Sequence, residues 1–581
     1  MAHKNTRTIS LLCTAFIFSG CALASKDSAQ PEYTNASNEA GQSNAPAPAQ
    51  LRPYDEPAPS SADRDDTYAE EETEAPAEPA REMAMADVGA SKPSPKSMKK
   101  KGALAQRVTI SGDLKPTEME QPPSTSGSAE SYTDHGVNPM TKTSEDKLST
   151  FAIDVDTGAY TIARRKLNEG VVPPAAGVRV EEFVNYFGYN YPQPDSEGPF
   201  GVSLEAAPSP FIASSSNRYL MRVGVQGKRV AQKDRKPVHL VFLVDVSGSM
   251  NAPDKLGLAK ESLKVLTNNL TKNDTVGLVT YAGNTRAVLE PTSATDKGKI
   301  FDGIDSLTSG GGTAMNSGME TAYKMAMQSA KPGHVTRVVV LSDGDANIGP
   351  SSFDDILKNV RSYVDEGVTL STIGFGMGNY KDSLMEQLAN KGNGNYYYID
   401  SIDEARKVFG EQVDGTLEVI AKDVKIQVEF NPETVDSYRL IGYENRDIAD
   451  KDFRNDKVDA GEIGAGHSVT AFYEISLKSE NPDGTLAYVR MRHKKPDGYD
   501  ATEQVFNFES SELVKKLSMA SKDFQFGAAV VAFAEILRKS PYAKDLSFDL
   551  VKEVAQSSSS SSQKDRQEFI ELVDKAKRLS K

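Results

Sequence analysis

The stretch Val238 to Met250, "VHLVFLVDVSGSM", places polar side chains directly after an apolar strand. Asp245, Ser247 and Ser249 follow the apolar run at alternate positions. A nearly continuous apolar strand is typical of a parallel sheet that is covered on both faces. Polar residues at the end of such a strand either line a ligand crevice or form a capped turn. This stretch alone therefore leaves two interpretations open, a cation site and an Asx or Ser turn.

Residues 237–413 alternate apolar strands with helical segments. The predicted strands are HLVFLVDV, TVGLVTYA, RAVLEP, RVVVLSD, TLSTIGFG and NYYYID. Between them, segments such as DKLGLAKESLKVLTNNL carry apolar residues at helical spacing. Because strands and helices alternate, we expect a doubly wound α/β domain with a mostly parallel sheet.

Two further polar residues occupy equivalent junctions between a strand or loop and the next element. Thr313 lies in the glycine-rich "SGGGTAM", and Asp343 ends the apolar run "RVVVLSD". In doubly wound sheets, ligands bind beyond the carboxyl ends of the strands, where the strand order reverses. Together with Asp245 and the two serines, these residues offer two carboxylates and three hydroxyls. Hard oxygen donors favour Mg²⁺, Mn²⁺ or Ca²⁺ over zinc or copper.

The pattern D-x-S-x-S, then T, then D resembles the metal-ion-dependent adhesion site of von Willebrand factor A domains. The resemblance implies a Rossmann-like A-domain fold and the metal ligands Asp245, Ser247, Ser249, Thr313 and Asp343. It also implies Mg²⁺ as the first choice of ion, with Mn²⁺ or Ca²⁺ as alternatives. If hydroxyls bind the ion directly and one aspartate acts through water, a partner's carboxylate can complete the octahedron.

The flanking regions are predicted as an N-terminal lobe (147–236) and a C-terminal domain (414–581) that is β-rich and then helical. Stretches such as STFAIDVDTGAYTIARRKLNEGVVPP and AKDVKIQVEFNPETVDSYRL resemble a bacterial family of A-domain lipoproteins. The resemblance covers about residues 145–581. Members are often labelled calcium-activated chloride channel-like, but no mature segment here is predicted to span a bilayer. We expect both flanks to pack beside the α/β domain.

Residues 1–20 have the pattern of an export signal, with a basic start and an apolar core. The following "FSGC" resembles the lipobox of bacterial lipoproteins, which implies that Cys21 carries the lipid. Ordinary signal cleavage near Ala24 is the alternative. Under the enterobacterial sorting scheme, Ala22 after the cysteine implies the outer membrane. We therefore expect an exported protein that is anchored in the cell envelope by lipid.

Residues 21–146 are rich in Ala, Pro, Glu and Ser and contain few large apolar side chains. Such a composition cannot bury enough apolar surface to offset the entropy of ordering. We predict a disordered tether between the lipid and the folded region.

The formal net charge of −15 argues against nucleic acid as a partner. Six scattered histidines, with no nucleophile motif beside them, indicate that the protein is not an enzyme. A metal-assisted hydrolase would also need a general base near the ion. We expect a protein that binds a carboxylate-bearing protein ligand through a divalent cation. The alternative is an envelope scaffold whose metal site is not the partner surface, and the sequence leaves the oligomeric state open.

Overall fold

The computed structural model describes residues 130, 132–153, 155–194, 198–209, 217–345, 350–377 and 380–581. The predicted signal peptide, Cys21 and the tether up to residue 129 lie outside the described residues. Within the described ranges, no helix combines the length and the apolar character needed to cross a bilayer.

The segment before the α/β domain contributes strands and helices to a larger body. Its described elements are β1 (Thr141–Lys142), β2 (Leu148–Ala152), α1 (Gly158–Asn168), α2 (Val180–Asn185), β3 (Phe200–Pro208) and β4 (Arg218–Gly227).

The carboxyl end of the predicted tether differs from the prediction, because it is folded. Strand β1 pairs with residues 437–438. The Thr143 hydroxyl donates to the Val435 carbonyl at 2.6 Å, and the Asn138 amide donates to the Gly442 carbonyl at 2.9 Å. Composition misses this segment because its backbone and polar groups extend an existing sheet edge and do not form a core of their own.

The α/β domain follows the predicted alternation of strands and helices. Its elements are β5 (Val238–Asp245), α3 (Leu258–Asn268), β6 (Thr275–Tyr281), β7 (Thr285–Ser293), α4 (Lys297–Asp305), α5 (Met315–Ser329), β8 (Val335–Ser342), α6 (Pro350–Asp365), β9 (Val368–Gly374), α7 (Asp382–Lys391), β10 (Tyr396–Tyr398), α8 (Ile402–Arg406) and α9 (Val413–Leu417). The strand order is β10-β9-β8-β5-β6-β7. Only the β6–β7 pair among these strands is antiparallel. The sheet is therefore mostly parallel and doubly wound, as predicted.

Strand β5 is buried on both of its faces. Leu240, Phe242 and Val244 pack with α3, α4 and α8, whereas Val241 and Leu243 pack with α5, α6 and α7. Successive side chains of a strand point to opposite faces, so a strand between two helical layers must be apolar at every position. The first carboxylate at the end of β5 is consequently held at the edge of a dry core.

The chain after the α/β domain returns to the body begun by β1–β4. Its elements are β11 (Val419–Phe430), β12 (Val435–Ile441), β13 (Gly461–Gly464), β14 (Ser468–Leu477), β15 (Thr485–Lys494), β16 (Ala501–Glu509), α10 (Lys522–Leu537), α11 (Phe548–Ser557) and α12 (Lys564–Leu579). One sheet has the order β1-β12-β14-β4-β3, and the other has the order β13-β11-β15-β16 with β2 also on β11.

The two flanks predicted as separate regions share both of these sheets. Strand β4 pairs with β14 along nine residues from Arg218 to Gln226, and β2 pairs with β11. Apolar side chains from both sheets form one core, including Val225, Ile426, Tyr473 and Val489. We call this two-sheet body, with its helices, the sandwich. The α/β domain is thus an insertion between β4 and β11.

Buried ion pairs join helix α1, and the residue directly before helix α2, to the α/β domain. Arg164 contacts Asp400 at 2.5 Å and Glu404 at 2.8 Å. Arg179 contacts Asp382 at 2.5 Å and also pairs with Glu182. We call Arg179, Glu182 and Asp382 the interface cluster. These contacts fix the orientation of the inserted domain on the sandwich.

Candidate metal-ion site

The predicted site residues lie where the strand order of the α/β domain reverses. From β5 the chain passes to β6 on one side and later returns to β8 on the other side of β5. Asp245 is the last residue of β5, and Asp343 follows Ser342, the last residue of β8. Helix α3, which follows β5, packs on one face of the sheet, and helix α6, which follows β8, packs on the other face. In doubly wound sheets this reversal is where ligands bind at the carboxyl edge.

The Asp245 carboxylate is fully buried and is held by two neutral donors. Its Oδ1 atom accepts the Ser247 N–H at 2.9 Å, and its Oδ2 atom accepts the Ser342 hydroxyl at 2.9 Å. The first bond is the Asx turn that the alternative interpretation predicts. The second bond comes from a different strand, so the carboxylate is oriented by the sheet as well as by its own turn.

The three predicted hydroxyls lie on adjoining loops of the same edge. The Ser247 and Ser249 hydroxyls are 2.9 Å apart. The loop that carries Thr313 is bound to the turn after β5, because the Gly248 N–H donates to the Gly311 carbonyl at 3.1 Å. Gly311 has a φ of +87°, a conformation that favours glycine. The structure thus brings the five predicted residues to one edge, while their role as metal ligands stays a prediction.

Asp343 has a partner that sequence reasoning missed. The Lys255 ammonium lies 2.9 Å from Oδ2 of Asp343, and the Asp345 N–H donates to Oδ1 at 3.1 Å. Lys255 stands ten positions after Asp245, in a segment that reads as an ordinary helix start. Ser342 was also missed, although its place directly before Asp343 at a strand end could have indicated it.

Burial dominates the electrostatics of the site. It raises the pKa of Asp245, and the nearby negative charge of Asp343 adds to that effect. The pKa of the Tyr281 hydroxyl is raised well above its ordinary value, first by burial and then by the charge of Asp245. Both shifts indicate that negative charge is poorly compensated here.

The residues present fit a divalent cation. Among the described residues, no lysine, arginine or histidine forms an ion pair with Asp245, and a buried carboxylate is costly without a cation or several donors. The described ranges contain no group of three or more His, Cys, Asp and Glu side chains placed to hold a metal. This candidate site relies on hydroxyls as much as on carboxylates, which suits Mg²⁺ or a similar hard ion.

Models of known protein families match three successive regions of the chain. A model of the von Willebrand factor type A domain matches residues 239–411, and one described as von Willebrand factor matches residues 126–221. The model "Uncharacterized protein YfbK, C-terminal" matches residues 415–579. Over 468 residues the chain is 38% identical to uncharacterized protein YfbK of Escherichia coli (strain K12), covering 76% of this chain and 80% of that protein. The chain belongs to the YfbK family.

Other similar proteins match part of this YfbK-family chain. Inter-alpha-trypsin inhibitor heavy chain H3 of Homo sapiens is 26% identical over 265 residues, which cover 42% of this chain and 29% of that protein. A solved structure of von Willebrand factor type A from Catenulispora acidiphila aligns with a TM-score of 0.40 and 15% identity, covering 67% of this chain and 91% of that chain. The A-domain match and the strand order confirm the predicted fold class and the predicted family resemblance.

Proposed function

We propose that this YfbK-family protein binds a carboxylate-bearing ligand, in particular a partner protein, through a divalent cation at the carboxyl edge of its α/β sheet. One observation carries the proposal. Asp245 is a buried carboxylate at the switch point of the sheet, held by neutral donors and bordered by the hydroxyls of Ser247 and Ser249. A cation supplied from solution would complete that arrangement.

Each residue of the site has a distinct part in this proposal. Ser247, Ser249 and Thr313 would supply neutral oxygen ligands, and Asp245 and Asp343 would supply the negative charge. When bound, a divalent ion offers a Lewis-acidic position that an incoming carboxylate can occupy. Neutral hydroxyls leave more of the ion's charge uncompensated than carboxylates would, which favours an anionic ligand. The hydrogen bond from Ser342 keeps Asp245 aimed at the edge.

The proposed setting follows from the amino-terminal sequence. The proposal includes export, lipid attachment at Cys21 and a location at the outer membrane. It also includes a tether between the lipid and the folded body. Mg²⁺ is the proposed ion. We propose a binding role without catalysis and without nucleic acid as a partner.

Capture of a partner from detergent-solubilised envelope tests this proposal. The tagged mature protein is used with Mg²⁺, with EDTA, and as the variant Asp245→Asn. The matched control is Asp305→Asn, which removes a carboxylate from an exposed position of the same domain. We expect a partner that is retained with Mg²⁺ by the wild type and the control, and lost with EDTA and with Asp245→Asn. Equal capture in all arms would contradict the proposal and favour the scaffold function.

A further inference from the structure

Lys255 places a fixed positive charge beside the candidate metal site. Its Nζ atom lies 2.9 Å from Oδ2 of Asp343, and the two side chains are only 9% and 1% exposed. The ammonium is therefore shielded from solvent and is close to one of the two carboxylates that would balance a metal ion. A buried ion pair of this kind is screened by salt much less than a surface pair.

Two independent backbone features position this lysine. Lys255 lies in the π-helical turn Pro253–Gly257, which directly precedes α3. Its aliphatic stem crosses Gly376, where an added Cβ would overlap the Lys255 side chain. Gly376 also has a φ of +76°, which favours glycine. The local fold thus makes room for the stem and directs the ammonium at Asp343.

We propose that Lys255 is a specificity-determining residue of this site. Its charge weakens the binding of the divalent cation and strengthens the binding of the anionic ligand. This inference rests on the proposed function. With Asp245 and Asp343, the ammonium gives the ion-free site a formal charge of −1. A divalent ion brings the formal charge to +1, whereas the same site without the lysine would be neutral. The loaded site consequently keeps a net attraction for a carboxylate, at the expense of ion affinity.

The consequence is that metal and ligand bind cooperatively. The carboxylate of a ligand restores neutrality, so it stabilises the ion, and the ion is needed to hold the ligand. By linkage, each must tighten the other by the same factor. The ion affinity of the free protein is correspondingly low, and the site is filled when ion and acidic ligand are present together.

Mn²⁺ binding to the mature protein, followed by electron paramagnetic resonance and by calorimetry, tests this inference. The variant Lys255→Met removes the charge and keeps an unbranched stem of similar length. The control Lys264→Gln removes a lysine charge from α3, where Lys264 pairs with Glu261 and Asp305. Acetate serves as the carboxylate probe, and circular dichroism checks that each variant is folded. Lys255→Gln provides a second neutral variant if the methionine does not fold.

We expect Lys255→Met to bind Mn²⁺ at least about tenfold more tightly than the wild type, and acetate to tighten Mn²⁺ binding less in the variant. The control should match the wild type in both measurements. If wild type and Lys255→Met bind Mn²⁺ equally, the inference fails and the proposed function stands. If no form binds Mn²⁺, both fail. If only the two Lys255 variants bind Mn²⁺, and acetate restores no binding to the wild type, both the cooperative binding and the proposed function are overturned.

Discussion

This protein has two clusters of buried charged residues, and their carboxylates are neutralised in different ways. In the interface cluster, Arg179 pairs with both Asp382 and Glu182. At the candidate metal site, Asp343 pairs with Lys255, while Asp245 is held by a backbone N–H and a hydroxyl. Both groups lie on the α/β domain or at its border. They differ in whether the chain itself supplies a cation for every carboxylate.

We interpret this difference as one between a structural role and the proposed binding role. An arginine offers a planar fork of donors that remains charged, which suits a permanent contact between two folded parts. Hydroxyls and a single ammonium leave a carboxylate open to an exchangeable cation. Replacing residues in one group should therefore change stability, and replacing residues in the other should change ion binding.

The largest expected effect belongs to the interface cluster. Arg179→Ala removes the guanidinium that pairs with the buried carboxylates of Asp382, Glu182 and Glu386, which should lower the free energy of unfolding by about 3 to 5 kcal/mol. Denaturant unfolding followed by circular dichroism measures it. Arg406→Ala is the control, because its pair with Asp403 is largely exposed and should contribute less than about 1 kcal/mol. Equal losses from the two variants would contradict the claim that the interface cluster stabilises the fold more than an exposed ion pair does.

A smaller effect on stability and a large effect on ion binding are expected at the site. The double variant Ser247→Ala and Ser249→Ala removes a hydrogen bond worth about 1 kcal/mol. It should also weaken Mg²⁺ binding at least about tenfold, seen as a smaller rise of Tm with Mg²⁺. Ser293→Ala breaks an exposed hydroxyl pair of the same length with Thr295 and should leave that rise unchanged. An unaltered Mg²⁺ response in the double variant would exclude these hydroxyls as ligands.

The last expected effect appears only below neutral pH. Burial and the positive charge of Arg337 lower the pKa of His467 from 6.5 to about 4. The folded protein therefore keeps His467 neutral over a range in which the unfolded chain binds a proton, so stability falls as pH drops from about 6.5 toward 4. His467→Gln should make the decline of Tm between about pH 7 and about pH 5 shallower. Parallel profiles for variant and wild type would show that His467 contributes nothing to the acid sensitivity.

The α/β domain could be predicted from sequence because each of its signals is local. Apolar runs such as the one ending at Asp245 identify strands between two helical layers, and the loops after β5 and β8 meet at the edge where polar residues follow both strands. Lys255 could not be predicted, because its approach to Asp343 depends on a π-helical turn and on the space at Gly376. Neither feature leaves a periodic signal.

The architecture of the flanks was harder to predict for a related reason. The sequence of β4 favours a strand. Nothing in that sequence indicates that its partner, β14, lies beyond the inserted domain. Pairing between segments so far apart leaves no local pattern in a single sequence. The flanks consequently read as two regions, although they build one sandwich.

The most direct test is to titrate the mature wild-type protein and the Asp245→Asn variant with Mn²⁺ and to follow binding by calorimetry. It asks whether Asp245 is a ligand of a bound divalent cation. Asparagine keeps an oxygen for the Ser247 N–H, removes the charge and places an NH₂ group where Oδ2 accepts the Ser342 hydroxyl. We expect one saturable Mn²⁺ site in the wild type and a loss of at least about tenfold in affinity in the variant. Equal binding by both proteins, or no binding by either even with acetate present, would contradict the assignment of this edge as a metal-ion site.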